Sequence, residues 1–498
     1  MRVKIYLSRR FRAHRIAENF KIVRIFRKTV DMRQRFIRRF AVRKSVPPMF
    51  GNVHVIPLLQ KIKGKFAPLF RRFRKPVRNN RRFLRRFRPA VAAARAGAKT
   101  LLLEGTGAAG GMGTGGLVPA WCPFSDGEKI IYRGIAETVF RRAKAGLRHV
   151  DEKLLNWVSI DPEALKRTYD ELLMEHGVSV LFHTFVAGVE MAGDGTIDAV
   201  IAGNKAGLTA FRAKVFVDGT GDGDIAAWAG ADFSLGDDRT GALQHATLCF
   251  TLSNVDSYYY QNACRLHGNN PGSPVHRIAK DDSYPEIFDT HLCQTFTGPG
   301  TVGFNAGHLV GVDSTDPAAV SAAMIQGRRI AHAYLRALKE YEPEAFGAAH
   351  LVCTANLMGI REGRRIAGDY ELTCGDYLAR RSFEDEIGRN SYYLDIHGMS
   401  GEMRAVIDKA GRYKAGESHG IPFGSLLPKK LDNLLLCGRC ISADRMTYGS
   451  VRVMPVCLVT GEAAGTAAAM AVQREIAPRE LDRSALRGEL RKNGAYFL

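Results

Sequence analysis

The stretch LDNLLLCGRCISADRMTYGSVRVMPVCLVTGEAAGTAAAM, residues 431 to 470, constrains the fold most, because it joins an apolar strand, a glycine turn, a loop and a helix of small residues. Asn433 to Cys437 is a short apolar run closed by Gly438, the pattern of a buried strand. Pro455 suits the first turn of a helix, where its missing N–H costs nothing. Gly461, Ala463, Ala464, Gly465 and Ala467 to Ala469 leave one side of that helix nearly bare. A sheet or a flat ligand can approach such a face, and the helix N-terminus offers free N–H groups and a partial positive charge. Together these parts make a seat for a dinucleotide.

Four blocks extend the pattern: KTLLLEGTGAAGGMGTGGLVPAWCPF from Lys99, KVFVDGTGDGDIAAWAGADF from Lys214, LMGIREGRRIAGDYELT from Leu357 and HGIPFGSLLPKKLDNLLLCGRC from His419. In this order, over about residues 89 to 475, they resemble the FAD-dependent oxidoreductase family that shares the glutathione-reductase-type FAD fold. Four ordered blocks are far more specific than one glycine pattern. The resemblance implies an α/β fold, a Rossmann-like parallel-sheet domain of the FAD/NAD(P)-binding type in two pieces, 89–232 and 415–475. An α+β substrate domain, 233–414, is inserted between them, and 476–498 follow as a tail. It also implies an enzyme whose cofactor is FAD and which passes a hydride between flavin and a small organic substrate.

Carried over residue by residue, the resemblance gives each block a role. Glu104 ends a buried parallel strand, where such an acid accepts the adenosine ribose hydroxyls; an exposed strand-end carboxylate is the plainer reading. Gly110, Gly111, Met112 and Thr114 lie in a loop that passes the ribitol and flavin, and that loop is too glycine-dense to hold one shape without a ligand. Val186 matches the backbone contact to adenine. Gly219, Gly221 and Asp222 return a strand to the nucleotide, with glycine contact to FAD and capping of the next helix by Asp222 and Asp224. Gly438, Arg439, Met454 and Pro455 complete the cofactor set. On the substrate side, Arg361 and Arg365 follow an apolar strand and face the flavin as clamps for an anion, against the reading that Arg364 and Arg365 make ion pairs with Glu362 and Asp369. His397 and His419 are left off the catalytic set, since a lone histidine is more often structural.

The anomaly is at the start. Residues 1–88 hold 29 of the 72 basic residues and 2 of the 50 acidic ones, so the +22 net charge belongs to this segment and the remainder is mildly acidic. A dinucleotide site needs a G-x-G-x-x-G turn so that backbone can approach the pyrophosphate. Counting back from AVAAARAGAKTLLLE, those glycines fall near 81, 83 and 86, which read Arg81, Phe83 and Arg86. Three readings stay open: a basic arm for nucleic-acid phosphates, a protein that has lost its cofactor turn, or an aberrant segment in which a shifted frame turned glycine codons into arginine codons. A non-catalytic or nucleic-acid-associated flavoprotein relative is the alternative function, with nucleic acid the less favoured partner. In each case the chain as written is expected to hold FAD weakly.

Nine cysteines, an odd count scattered in apolar sequence, point to free thiols and a cytoplasmic location. Cys437 and Cys440 form C-x-x-C at the end of a nucleotide-site strand, where packing is the preferred role. No second C-x-x-C or spaced histidine pair completes a metal site, so none is expected. No apolar run approaches the ~20 residues of a membrane span, so no membrane partner is expected either.

Overall fold

The computed structural model describes residues 82–84 and 87–498, apart from 194, 399–404, 406, 409 and 410. Phe73–Leu498 is one compact unit, and residues 1–72 lie outside the described residues. The expected character of the basic arm therefore falls outside the description.

Strand β1 (Arg82–Leu84), helix α1 (Phe87–Arg95), strand β2 (Thr100–Leu103), helix α2 (Pro162–Glu175), and strands β3 (Ser179–Leu181), β4 (Phe216–Asp218) and β5 (Leu434–Leu436) build one sheet and part of its cover. Its order is β5-β4-β1-β2-β3, and every pairing is parallel. Parallel strands need crossovers and both faces covered, which is why LLL at 101–103 and at 434–436 is wholly buried. β1 pairs Phe83 with Leu101 and with Phe216, so position 83, an expected turn glycine, lies inside the central strand. Only residues 85 and 86 separate β1 from α1.

Helix α3 (Met454–Arg474) lies in the first core with 18 of its residues buried. A Cβ at Gly465 would lie 2.3 Å from the Pro89 carbonyl, so the bare face serves close packing on α1. α3 is also long and apolar enough to cross a membrane, which corrects the statement that no such run exists, but its apolar window is entirely buried in the protein. α2 starts and stops as its sequence dictates: Asp161 accepts from Glu163 and Ala164 N–H, and Gly177 turns with φ +64°.

A second hydrophobic core runs from Ala246 to Met358, centred on Phe250, Phe304, Tyr334 and Phe346. It sits between an antiparallel sheet (Phe250–Ser253, Leu292–Gly298, Thr301–Ala306, His350–Thr354) and the helix Pro317–Tyr341, which Asp316 caps as expected. Ile366, Leu372, Ile387 and Tyr392 belong instead to the first core, so the insert with a core of its own is shorter than 233–414. The expected tail is integrated as well, because helix Arg483–Lys492 buries Leu486 and Leu490, and Phe497 follows them into the first core.

Candidate functional site

The loops leaving the carboxyl ends of β2 and β5 reach α3, and the β4 loop is tied to the β5 loop. After β5, Gly438 takes φ +77° and donates to Thr460 Oγ1 of α3 at 3.1 Å. Arg439 then ties the β4 loop down: Nε donates to the Gly221 carbonyl at 3.2 Å and Nη2 pairs with Asp222 at 2.6 Å. Burial opposes its charge, but Asp222 more than offsets this and holds the Arg439 guanidinium above its ordinary value. Gly219 and Gly221 thus border the site on a loop fixed from outside. Asp222 and Asp224 do not cap the following helix. Asp218 does, accepting from Thr220 and Ala226 N–H, while Asp222 takes Arg439 and Ser314, and Asp224 pairs with Arg364.

The glycine loop after β2 has a definite shape, contrary to expectation. Thr114 is buried and its hydroxyl donates to the Ala109 carbonyl at 2.7 Å, while Gly116 and Val118 N–H close onto Gly111 and Met112 carbonyls. Gly110 and Gly111, with φ of +107° and +66°, supply the turns that other residues resist. This loop touches α3, since a Cβ on Gly113 would lie 3.1 Å from Met454 Sδ. Glu104 accepts from Thr106 N–H and Oγ1 at the end of β2. Val186 is buried on the next antiparallel strand, Phe185–Gly193, and Pro455 is buried in the first turn of α3.

On the substrate side the structure separates the two arginines. Arg365 is no clamp: its guanidinium is buried against Glu362 at 2.7 Å and the Gly236 carbonyl at 3.1 Å, the ion pair that was the alternative reading. Arg364 pairs with Asp224, and Asp369 goes to Arg479. The apolar strand expected before Arg361 reduces to one bridge, Gly359 to Thr247. Arg361, 7% exposed, donates to His245 O, Thr247 Oγ1 and Asn305 Oδ1 and lies 3.3 Å from His291 Nε2. Burial, then neighbouring Arg452, lowers it to about 10, so it remains a cation at neutral pH.

Around Arg361 the fold assembles what the sequence did not disclose. His308 lies between Asp289 (2.5 Å) and His397 (2.9 Å); His397 Nε2 faces Asp395 at 3.2 Å, and Asp395 pairs with Arg452 at 3.0 Å. Arg452 immediately precedes Val453, the N-cap of α3. A continuous polar chain therefore runs from the helix terminus into the insert. His397 is not a lone histidine, and the expectation of no metal-ligand cluster rested on sequence spacing that the fold overrides. Burial, followed by Asp395, pushes the Cys122 thiol up to about 12, which removes it as a nucleophile. Cys437 and Cys440 are buried too.

Whether these residues fit a flavin can be judged at each end. At the flavin end, Val453 provides no side-chain cap, so the first N–H groups of α3 stay available, and the buried Arg452 Nε–H has no partner among the described residues. A Cβ at Gly111 would meet nothing within 4 Å. Donors and space fit the anionic N1/O2 edge of a reduced flavin. At the phosphate end no glycine stands between β1 and α1, so the usual cradle is missing.

A parallel sheet whose carboxyl-end loops meet a glycine-rich helix defines a Rossmann-like dinucleotide-binding protein. The FAD dependent oxidoreductase family matches residues 87–490, and the chain belongs to that family. It is an FAD-dependent oxidoreductase, with FAD as its cofactor. Among solved structures it is similar to a geranylgeranyl bacteriochlorophyll reductase-like protein from Thermoplasma acidophilum (11% identity over 83% of this chain and 82% of that one, TM-score 0.39). It is also similar to p-nitrophenol 4-monooxygenase from Pseudomonas putida (10%, 82% and 82%, TM-score 0.39) and to L-proline dehydrogenase from P. horikoshii (12%, 85% and 100%, TM-score 0.36). No curated protein matches the chain.

Proposed function

We propose that the chain passes a hydride between FAD and a small organic substrate held where the Gly110–Gly113 loop, the N-terminus of α3 and the Arg361 cluster meet. Flavin, when bound, supplies the hydride chemistry. Gly111, Met112, Arg452, Met454 and Pro455 hold its ring end, Gly110 shapes the turn beside them, Glu104 holds the ribose, and Gly219, Gly221 and Gly438 border the path between. Residues 233–414 act as the substrate domain, and the absence of a disulfide among the described cysteines supports a cytoplasmic location. The basic arm has no nucleic-acid role in this reading. The orphaned Arg452 Nε–H beside an uncapped helix terminus carries the proposal, because a buried donor without a partner costs stability that a ligand acceptor recovers.

The test is anaerobic mixing of FAD-loaded protein with a panel of small alcohols, hydroxy acids and amines while visible absorbance is followed. Bleaching by one class is expected, slowed on the order of 100-fold in Arg452→Gln, as for loss of a donor to developing charge. Wild-type bleaching in Arg452→Gln overturns the reading. Glycine at 85 and 86, the two positions between β1 and α1, is expected to tighten FAD about tenfold in a fluorescence titration; no change would place the phosphates elsewhere.

A further inference from the structure

The histidines around Arg361 pose a protonation problem that the flavin chemistry does not use. Asp289 and Asp395 are both carboxylates. A carboxylate only accepts, so the imidazole nitrogen facing it carries the proton: Nδ1 in His308 and Nε2 in His397. In the neutral rings the other two nitrogens, His308 Nε2 and His397 Nδ1, are lone pairs, and these face each other at 2.9 Å. Two lone pairs at that distance repel unless a cation joins them. A third histidine, His291, stands beside the pair, an arrangement that suits a metal ion better than a proton.

We propose that His308 Nε2 and His397 Nδ1, with His291 as third ligand, bind a divalent first-row transition metal. One ring nitrogen of each of the three histidines lies within 4.8 Å of the others, and His291 Nδ1 is buried without a hydrogen-bond partner among the described residues. Neighbouring ligands at right angles around a metal, each about 2.1 Å from it, are about 3.0 Å apart, close to the spacing of the facing nitrogens. Such angles select a six-coordinate ion of the Co2+, Ni2+ or Fe2+ kind over tetrahedral zinc. Asp289 and Asp395 each hold the outer N–H of a ligand imidazole, the carboxylate–histidine support that metal sites share. Arg361 and Arg452 oppose an added cation, and the two carboxylates offset them.

Binding of Co2+ to the full chain tests this without reference to oxidoreductase activity. Equilibrium dialysis followed by elemental analysis is expected to give one Co2+ per chain with a visible ligand-field spectrum. The affinity should fall at least 100-fold in the double variant His308→Gln/His397→Gln, and 10- to 100-fold in Asp395→Asn, which keeps all three ligands. Circular dichroism checks that each variant is folded; if the double variant is not, Asp395→Asn decides. Equal Co2+ binding by wild type and the folded variants overturns the site. So does nitrogen-15 resonance data showing a single proton shared between His308 and His397 with no change on adding Co2+.

Discussion

Arg361 and Glu362 are neighbours in the chain, yet they belong to two buried polar networks of opposite kind. Glu362 accepts from Arg365 at 2.7 Å, from Gln244 N–H at 2.8 Å and from Arg445 at 3.3 Å, while Arg445 also holds Asp237 at 2.8 Å. That network is closed, with every carboxylate oxygen answered. The network of Arg361 is open, since it contains the unpartnered Arg452 Nε, His245 Nδ1 and His291 Nδ1. A closed buried network is paid for by its own hydrogen bonds, whereas an open one retains a cost that a ligand removes. The contrast separates what holds the loop from what the loop presents to the site.

The largest effect should follow from breaking the closed network. Glu362→Gln leaves Arg365 and Arg445 buried with a neutral partner, and removing one member of such a set costs about 3–5 kcal/mol. A denaturant midpoint that falls by this amount supports the contrast; an unchanged midpoint breaks it. Next comes a pair of glycines that repeats the theme within one turn. A Cβ on Gly110 would lie 2.3 Å from the Tyr169 ring, so Gly110→Ala should cost roughly 2–4 kcal/mol from overpacking and left-handed strain.

Orphaned atoms do not by themselves mark function, and His419 sharpens the comparison on this point. Its Nε2 is buried without a partner, but its Nδ1 faces Tyr413 Oη at 2.6 Å and the closed Arg389–Glu386 pair lies beside it. Burial, then Arg389, lowers His419 to about 3. The unfolded chain, with its ordinary histidine value, binds this proton more readily, so the penalty is absent above about pH 6.5 and grows as pH falls toward 3. At pH 5 it amounts to about 2 kcal/mol. Thermal melts across that range should show the loss, and His419→Gln should flatten it without slowing flavin reduction. A variant with unaltered pH dependence would show that His419 is not the titrating group.

The dinucleotide scaffold was legible in the sequence because its signals are local. Buried strands read as LLL, Asp161 and Asp316 stand at helix starts, and Gly438 and Pro455 punctuate a strand and a helix. The substrate side was less legible. His245, His291, His308 and His397 are spread over about 150 residues with no repeating interval, and only the folded sheet brings them together. Asp395-Ile396-His397 and an arginine directly before a helix cap were the faint signals available. Arg361 and Glu362 could not be assigned to opposite networks from sequence, because in irregular backbone no helical or strand period fixes which way a side chain turns.

The smallest predicted effect tests the open half of the glycine pair. A Cβ at Gly111 would meet nothing within 4 Å, so Gly111→Ala carries only the cost of an L-residue at φ +66°, about 1 kcal/mol. If the space beside it receives the flavin, the added methyl group should weaken FAD binding severalfold while moving the melting midpoint by only a few degrees. Gly110→Ala, closed by Tyr169, should do the reverse, costing stability first and changing flavin affinity only through it. Fluorescence titration of the two variants beside their melting curves separates these outcomes. Equal flavin affinities at equal loss of stability would mean that both glycines merely shape the turn, and the flavin end would then have to be sought along Arg452 and the first turn of α3.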